Sequence, residues 1–250
     1  MKTLLKTGAL IPLLAVSSSL AQGTFQNLDF ESATIVPIPG DYLQRVEFTS
    51  AFPGRTIAGG LSGVLYNRIY LDSTGISIID DPSCANFGCR ILDGNYTAVL
   101  NAGIVGTITN VQDIKLSQTG MVPATAQSLR FSVHFEGPGS TETALNLLLG
   151  GQQLSFTALE IGTNYNVYGA DIHTFAGQTA ELDFILRSHI PHFGDSYLYL
   201  DDIQFSDIPV PEPGVVALLV LGGVFLIRLN LRSSYKSHGA AGKVRAGSRF

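Results

Sequence analysis

The chain has 250 residues, a formal net charge of −5, 27 glycines, two cysteines and no tryptophan. Its charge is divided: residues 22–210 hold 19 acidic and 7 basic side chains, a balance of 7 − 19 = −12, whereas six basic residues and no acidic one follow Pro213. An acidic body repels phosphate backbones, which excludes nucleic acid as the natural partner, and the length between the two ends suits one domain with its own core.

The first segment, MKTLLKTGALIPLLAVSSSLAQG, has Lys2 and Lys6, an uncharged apolar run and small residues at Ser19 and Ala21. That pattern is a secretory signal peptide over residues 1–21, with cleavage after Ala21 and Gln22 as the first mature residue. Residues 22–206 then form one β-rich domain. Short strand patterns occur at VLYNRIYL (64–71), GISIID (75–80) and YTAVLN (96–101). Between the second and third lies DPSCANFGC, where Cys84 and Cys89 flank a short turn-rich loop. In an exported chain a disulfide is the favoured fate of this pair over two free thiols.

Further along, VQDIKLSQ (111–118) reads as the one short helix. In SLRFSVHFE (128–136), Leu129, Phe131, Val133 and Phe135 alternate with Arg130, Ser132, His134 and Glu136, the mark of a strand buried on one face. ALNLLLGGQQLSF (144–156) reads as a hairpin through Gly150-Gly151, a pair that tolerates the positive φ of a two-residue turn. NYNVYGADI, ELDFILRS and YLYLDDIQFS complete the pattern. Roughly ten to twelve strands at this spacing predict an all-β fold, a single antiparallel, jelly-roll-like sandwich.

Catalytic signatures are sparse. GGLSGV (59–64) misses the Gly-x-Ser-x-Gly elbow because Val64 stands in the final glycine position. His189, His192 and Asp195 fall three apart in SHIPHFGDSY, a spacing that suits a zinc site or acid–base chemistry, although Pro191 breaks a helix there and a polar surface loop is the commoner reading. Tyr66, Tyr70, Tyr96, Tyr165, Tyr168, Tyr197 and Tyr199 offer ring faces for sugar stacking, against the ordinary reading of half-buried strand tyrosines. His134 and His173 read as strand-face and turn residues.

Residues 207–213 are a Pro-rich linker ending in Pro211-Glu212-Pro213, and Gly214–Ile227 is apolar. Those 14 residues make about 21 Å of helix, and extension to Leu231 gives 18 residues and about 27 Å, short of a hydrocarbon core near 30 Å. The span 214–231 therefore reads as a marginal transmembrane helix, with Arg228 snorkelling, and 232–250 as a basic cytoplasmic tail.

Pro211-Glu212-Pro213, the apolar run, Arg228 and Arg232 together resemble the PEP-CTERM sorting signal of exported bacterial proteins. The resemblance implies signal peptidase and an exosortase-type enzyme as processing partners, insertion in the inner membrane, and delivery to the cell surface or extracellular matrix. The stretches NLDFESA, AFPGRT, LYNRIYL, GNYTAVL and LYLDDIQFS are similar to those of uncharacterised PEP-CTERM proteins of Verrucomicrobia-like bacteria, in which Trp often stands where this chain has Arg55. NLDFE and LDDIQF also resemble the first and last strands of galactose-binding-like carbohydrate-binding modules. That likeness implies a structural Ca²⁺ held by Glu31 and Asp202, with Asp201.

These readings combine into a non-enzymatic surface protein, structural or ligand-binding. The alternatives are a carbohydrate-binding module for exopolysaccharide and a hydrolase using the His189, His192 and Asp195 loop. Mass determination of the mature protein by cell fraction is expected to show loss of everything beyond the Pro-Glu-Pro region. An intact tail in the inner membrane would identify a plain anchor instead.

Overall fold

In the computed structural model, residues 24–70, 73–83, 89–104, 111–188 and 196–211 are described. Residues 1–21, expected as a signal peptide, Cys84, the segment with His189, His192 and Asp195, Glu212, Pro213, residues 214–231 with Arg228, and residues 232–250 with Arg232 lie outside them. Among the described residues no helix is long and apolar enough to cross a membrane.

Alternating side chains build fourteen strands among these residues: β1 (Arg45–Val46), β2 (Thr56–Ala58), β3 (Val64–Tyr66), β4 (Gly75–Ile79), β5 (Thr97–Ile104), β6 (Val111–Gln112), β7 (Ile114–Met121), β8 (Ser128–Glu136), β9 (Leu145–Leu149), β10 (Gln152–Leu154), β11 (Phe156–Ile161), β12 (Asn166–Asp171), β13 (Thr179–Leu186) and β14 (Ser196–Ser206). They form two sheets. The larger runs β1-β3-β4-β5-β14-β8-β12-β11, with β6 added beside β5, and the smaller runs β10-β9-β13-β7-β2. Every named strand pair is antiparallel except β3 and β4, which are parallel, so the sandwich is not antiparallel throughout.

The core lies between the sheets and follows the pattern expected of β8. Leu129, Phe131 and Val133 are buried, and Phe135 is partly buried against the same core. Phe131 is its pivot. Its ring meets Phe184 of the smaller sheet edge-on at 5.4 Å, and Phe156 and Tyr168 of its own sheet at 5.6 and 5.9 Å. Such pairs add directional preference to the burial of large apolar area. The Gly150-Gly151 hairpin forms as predicted, with φ of 58° and 77°, and joins β9 to β10.

The helix expected at 111–118 is instead β6 and the start of β7. Ile114 and Leu116 alternate into the core, and β7 pairs with β13 along eight register positions from Ile114 to Met121. Gln118 also holds the incoming chain: its side chain accepts from Gln26 N and donates to Gln26 O, both at 3.1 Å. Pairing with distant segments decides this stretch, as it does for most strands. Among the described residues the helices are single turns, α1 (Phe48–Ala51), α2 (Thr141–Ala144) and a 3₁₀ turn at His173–Phe175.

Replacing Phe131 by alanine removes the ring that joins both layers. The expected cost is about 3–5 kcal/mol of stability, read as a lower midpoint in urea unfolding with little change in slope.

Candidate functional site

The outward face of the larger sheet is the part that departs from a simple sandwich. On it Tyr199 of β14 lies beside Val99 of β5 and His134 of β8, and Tyr197 lies beside Glu136. Segment 89–97 crosses over these strands. Leu92 is buried there with Ile69, Ile79, Val99 and Tyr199 in a second apolar cluster, against which Cys89, Ile91, Tyr165 and Tyr197 pack.

Two carboxylates hold this segment in place. Asp201, 1% exposed, accepts from Thr97 Oγ1 at 2.7 Å and Asp93 N at 3.3 Å with one oxygen, and from Asp202 N at 2.8 Å with the other. Thr97 Oγ1 in turn accepts from Leu92 N at 2.9 Å. From the opposite side, Glu31 Oε1 accepts from the backbone N–H of Asn95 and Tyr96 at 2.7 and 2.9 Å, while Oε2 accepts from Asn95 Nδ2 at 2.7 Å. Gly94, at φ +58°, leaves no room for a Cβ beneath the Glu31 carboxylate.

Glu31 and Asp201, expected as calcium ligands, thus meet on one loop but spend their oxygens on protein donors. Asp202 sits at φ +46°, where the register of β14 against β8 shifts, and accepts from Gln204 Nε2. Among the described residues no group of three or more His, Cys, Asp or Glu side chains is placed to hold a metal ion. Burial pushes the Asp201 carboxyl up to about 7, despite the hydrogen bonds from Thr97 and the backbone. For Glu31 a burial penalty is outweighed by the hydrogen bonds from Asn95 and Tyr96, which lower its carboxyl below the usual range.

Beside the clamped segment lies a polar network. Arg90 Nη1 donates to Asn164 Oδ1 at 2.7 Å, and Asn164 Nδ2 donates to Ile91 O at 3.1 Å. Arg90 Nη2 lies 3.9 Å from Glu136 Oε1, which is also 3.1 Å from His134 Nε2. His134 packs edge-on against Tyr199 with centroids 5.7 Å apart. Arg90 Nε is buried without a hydrogen-bond partner. Tyr165 and Tyr197 stay half-buried at this patch. Burial raises the Tyr165 hydroxyl above its ordinary value, helped by Asp93, Asp202, Glu160 and Asp201 nearby.

Of the tyrosines named as stacking candidates, Tyr70, Tyr168 and Tyr199 are buried and present no open face. Tyr66 donates its hydroxyl to Asp80 Oδ2 at 2.7 Å and, like Tyr96, packs against the main core. Only Tyr165 and Tyr197 share the patch. Arg55 is buried, with its guanidinium 4.5 Å from the centre of the Phe30 ring and Nη2 donating to Asn27 O at 2.9 Å. The guanidinium is therefore held inside the protein.

His173, in its turn, contacts Asp171 at 2.7 Å, as its ordinary reading implies, whereas His134 belongs to the network as well as to its strand. Arg90 and Asn164 went unseen in the sequence, because neither lies in a motif and they are 74 positions apart. Cys89 is not a free thiol.

No protein family and no curated protein matches the chain. Among solved structures, it is similar to TmCBM61 in complex with beta-1,4-galactotriose, with a TM-score of 0.36 and 11% identity over 74% of this chain and 99% of that one. It is also similar to the enzymatically active domain of tailspike protein 4 of bacteriophage CBA120, with a TM-score of 0.32 and 13% identity over 62% of this chain and 19% of that one. Neither likeness bears on which side chains meet a ligand.

The clamp makes a pH prediction. A carboxyl raised from 3.8 to about 7 on folding favours the folded state below about pH 4, and that contribution is lost as pH rises to about 7. Thermal melts between pH 4.5 and 8 are expected to show this decline, and Asp201→Asn to flatten it. An unchanged slope in the variant would assign the decline to another group.

Proposed function

We propose that this chain is a non-catalytic carbohydrate-binding protein that acts outside the cell. The observation that carries the reading is the Arg90, Asn164, Glu136 and His134 network set beside Tyr165 and Tyr197 on a sheet covered on both faces. A sugar presents hydroxyls that both donate and accept, together with weakly apolar C–H faces. Planar polar side chains answer the first need and tyrosine rings the second. Mutual hydrogen bonds hold Arg90 and Asn164 in place before any ligand arrives, which limits the ordering cost of binding.

The charge pattern favours a neutral glycan. Arg90 is balanced locally by Glu136, and the body of the chain carries 7 − 19 = −12 over residues 22–210, so a polyanionic polysaccharide meets net repulsion. Export of the domain is supported by the N-terminal signal pattern. The Pro211-Glu212-Pro213 resemblance supports its sorting to the surface through an exosortase-type enzyme. The Cys84–Cys89 disulfide belongs to the same proposal, since it would close the loop that leads directly into Arg90.

Affinity electrophoresis against neutral polymers, β-1,4-galactan and β-glucan among them, and an acidic polymer tests the proposal. Retardation by a neutral polymer is expected, and Arg90→Ala or Asn164→Ala should each weaken it about tenfold, the loss of one useful hydrogen bond near 1.4 kcal/mol. Far-ultraviolet circular dichroism checks that each variant keeps its fold. Retention that survives both substitutions would move the site elsewhere, and no retention by any neutral polymer would end the reading.

A further inference from the structure

The turn at residues 27–30 and the arginine beneath it leave two buried donors that meet no acceptor. Arg55 is 6% exposed, its Nε has no hydrogen-bond partner, and its one side-chain hydrogen bond runs from Nη2 to Asn27 O at 2.9 Å. Asn27 Nδ2 is likewise buried without a partner. The orientation of that amide is fixed, because Asn27 Oδ1 accepts from Ser32 N at 2.7 Å. Exchanging the two amide atoms would lose this bond, so the unpartnered atom is a donor. The bond from Nη2 to Asn27 O brings the two side chains together.

Charge adds to the need. No ion pair among the described residues includes Arg55. Asp29 is near enough to favour the ionised guanidinium, but it belongs to the exposed part of the turn, where Oδ1 accepts from Glu31 N at 3.3 Å. Burial lowers Arg55 to about 10, which still leaves it charged at neutral pH. The Phe30 ring, 4.5 Å away, covers the guanidinium but supplies no acceptor for its N–H groups. A buried cation this poorly paired is costly until an acceptor of opposite charge completes it.

The backbone holds the donors in place under strain. Asn27 and Phe30 have φ of 49° and 60°, the left-handed region, which a residue as bulky as phenylalanine rarely enters. The turn is pinned by Gln118 on Gln26 and by Ile203 N, which donates to Leu28 O at 3.1 Å. We propose that Arg55 and Asn27 bind a small monovalent anion, of the size of chloride, which accepts from Arg55 Nε and Asn27 Nδ2. Burial this complete favours such an ion over sulfate or phosphate. The ion neutralises the guanidinium and completes the turn from which Glu31 reaches Asn95 and Tyr96. The site is separate from the Arg90 patch and needs no glycan.

Thermal melts of the full chain at pH 7, with chloride replacing methanesulfonate at constant ionic strength, test the site. A saturable rise is expected, roughly 3–5 °C for each tenfold increase in chloride beyond half-saturation, together with a broadened chloride NMR line. Arg55→Met removes the charge at similar length. Asn27→Asp supplies a carboxylate beside the guanidinium, keeps Oδ1 for Ser32 N, and uses a residue that tolerates the left-handed region. Both variants are expected to lose the chloride response, and Asn27→Asp to melt higher than the parent when chloride is absent. A parent midpoint indifferent to chloride, as a buried water at the two donors would give, would overturn the proposal, and so would a response that survives in Asn27→Asp. A response that appears only in Asp29→Asn would also overturn it, by assigning the counter-charge to Asp29.

Discussion

Strand β14 is buried on both faces, and the rest of the domain is arranged around that constraint. Its inward side chains, Leu198 and Leu200, belong to the core between the sheets, while its outward ones, Tyr199 and Asp201, lie under segment 89–97. An antiparallel sheet ordinarily leaves one face to water. Here a second, smaller apolar cluster covers that face, and a carboxylate that would otherwise be solvated becomes a buried clamp. The cover creates the edge along which Arg90 meets Asn164 and Glu136.

Buried charge is handled differently at the two ends of the covering segment. Asp201 gives its oxygens to three donors, yet burial still outweighs them and favours the protonated form. Glu31 remains closer to water and accepts from three donors on Asn95 and Tyr96, so the ionised form wins. Arg55 is buried with a single hydrogen bond to the Asn27 carbonyl and with its guanidinium over Phe30, while its Nε has no partner, and burial lowers its pKa to about 10. At Glu31 and Asp201 the oxygens expected to meet a cation accept hydrogen bonds from the protein itself.

The core pattern was legible because period-two alternation is local. Leu129, Phe131 and Val133 announce a buried face whatever their partners, and Gly150-Gly151 announces a turn. Segment 111–118 misled because a stretch this short carries little periodicity, and its pairing with β13 comes from residues 64 to 72 positions later. β1, β2 and β6 are two or three residues long, too brief to show alternation, which is why the strand number exceeds the sequence expectation. The acids at Glu31 and Asp201 were legible as a meeting of the first and last segments. Their hydrogen-bond donors were not, since these are mostly backbone N–H groups of a loop lying more than 60 positions from either end.

By itself the sequence determined the all-β class, the inward faces of the central strands, the hairpin at Gly150-Gly151 and the division of charge between body and tail. These depend on residue type and short spacing, which any local reading captures. Only the tertiary structure decided that the outward face of β14 is covered, that Arg90 and Asn164 meet, and that Val210 packs over Gly169. The physical reason is that each of these rests on hydrogen bonds or close packing between segments far apart in the chain. Such contacts leave no periodic trace, because one arginine, one asparagine or one glycine suffices to make them.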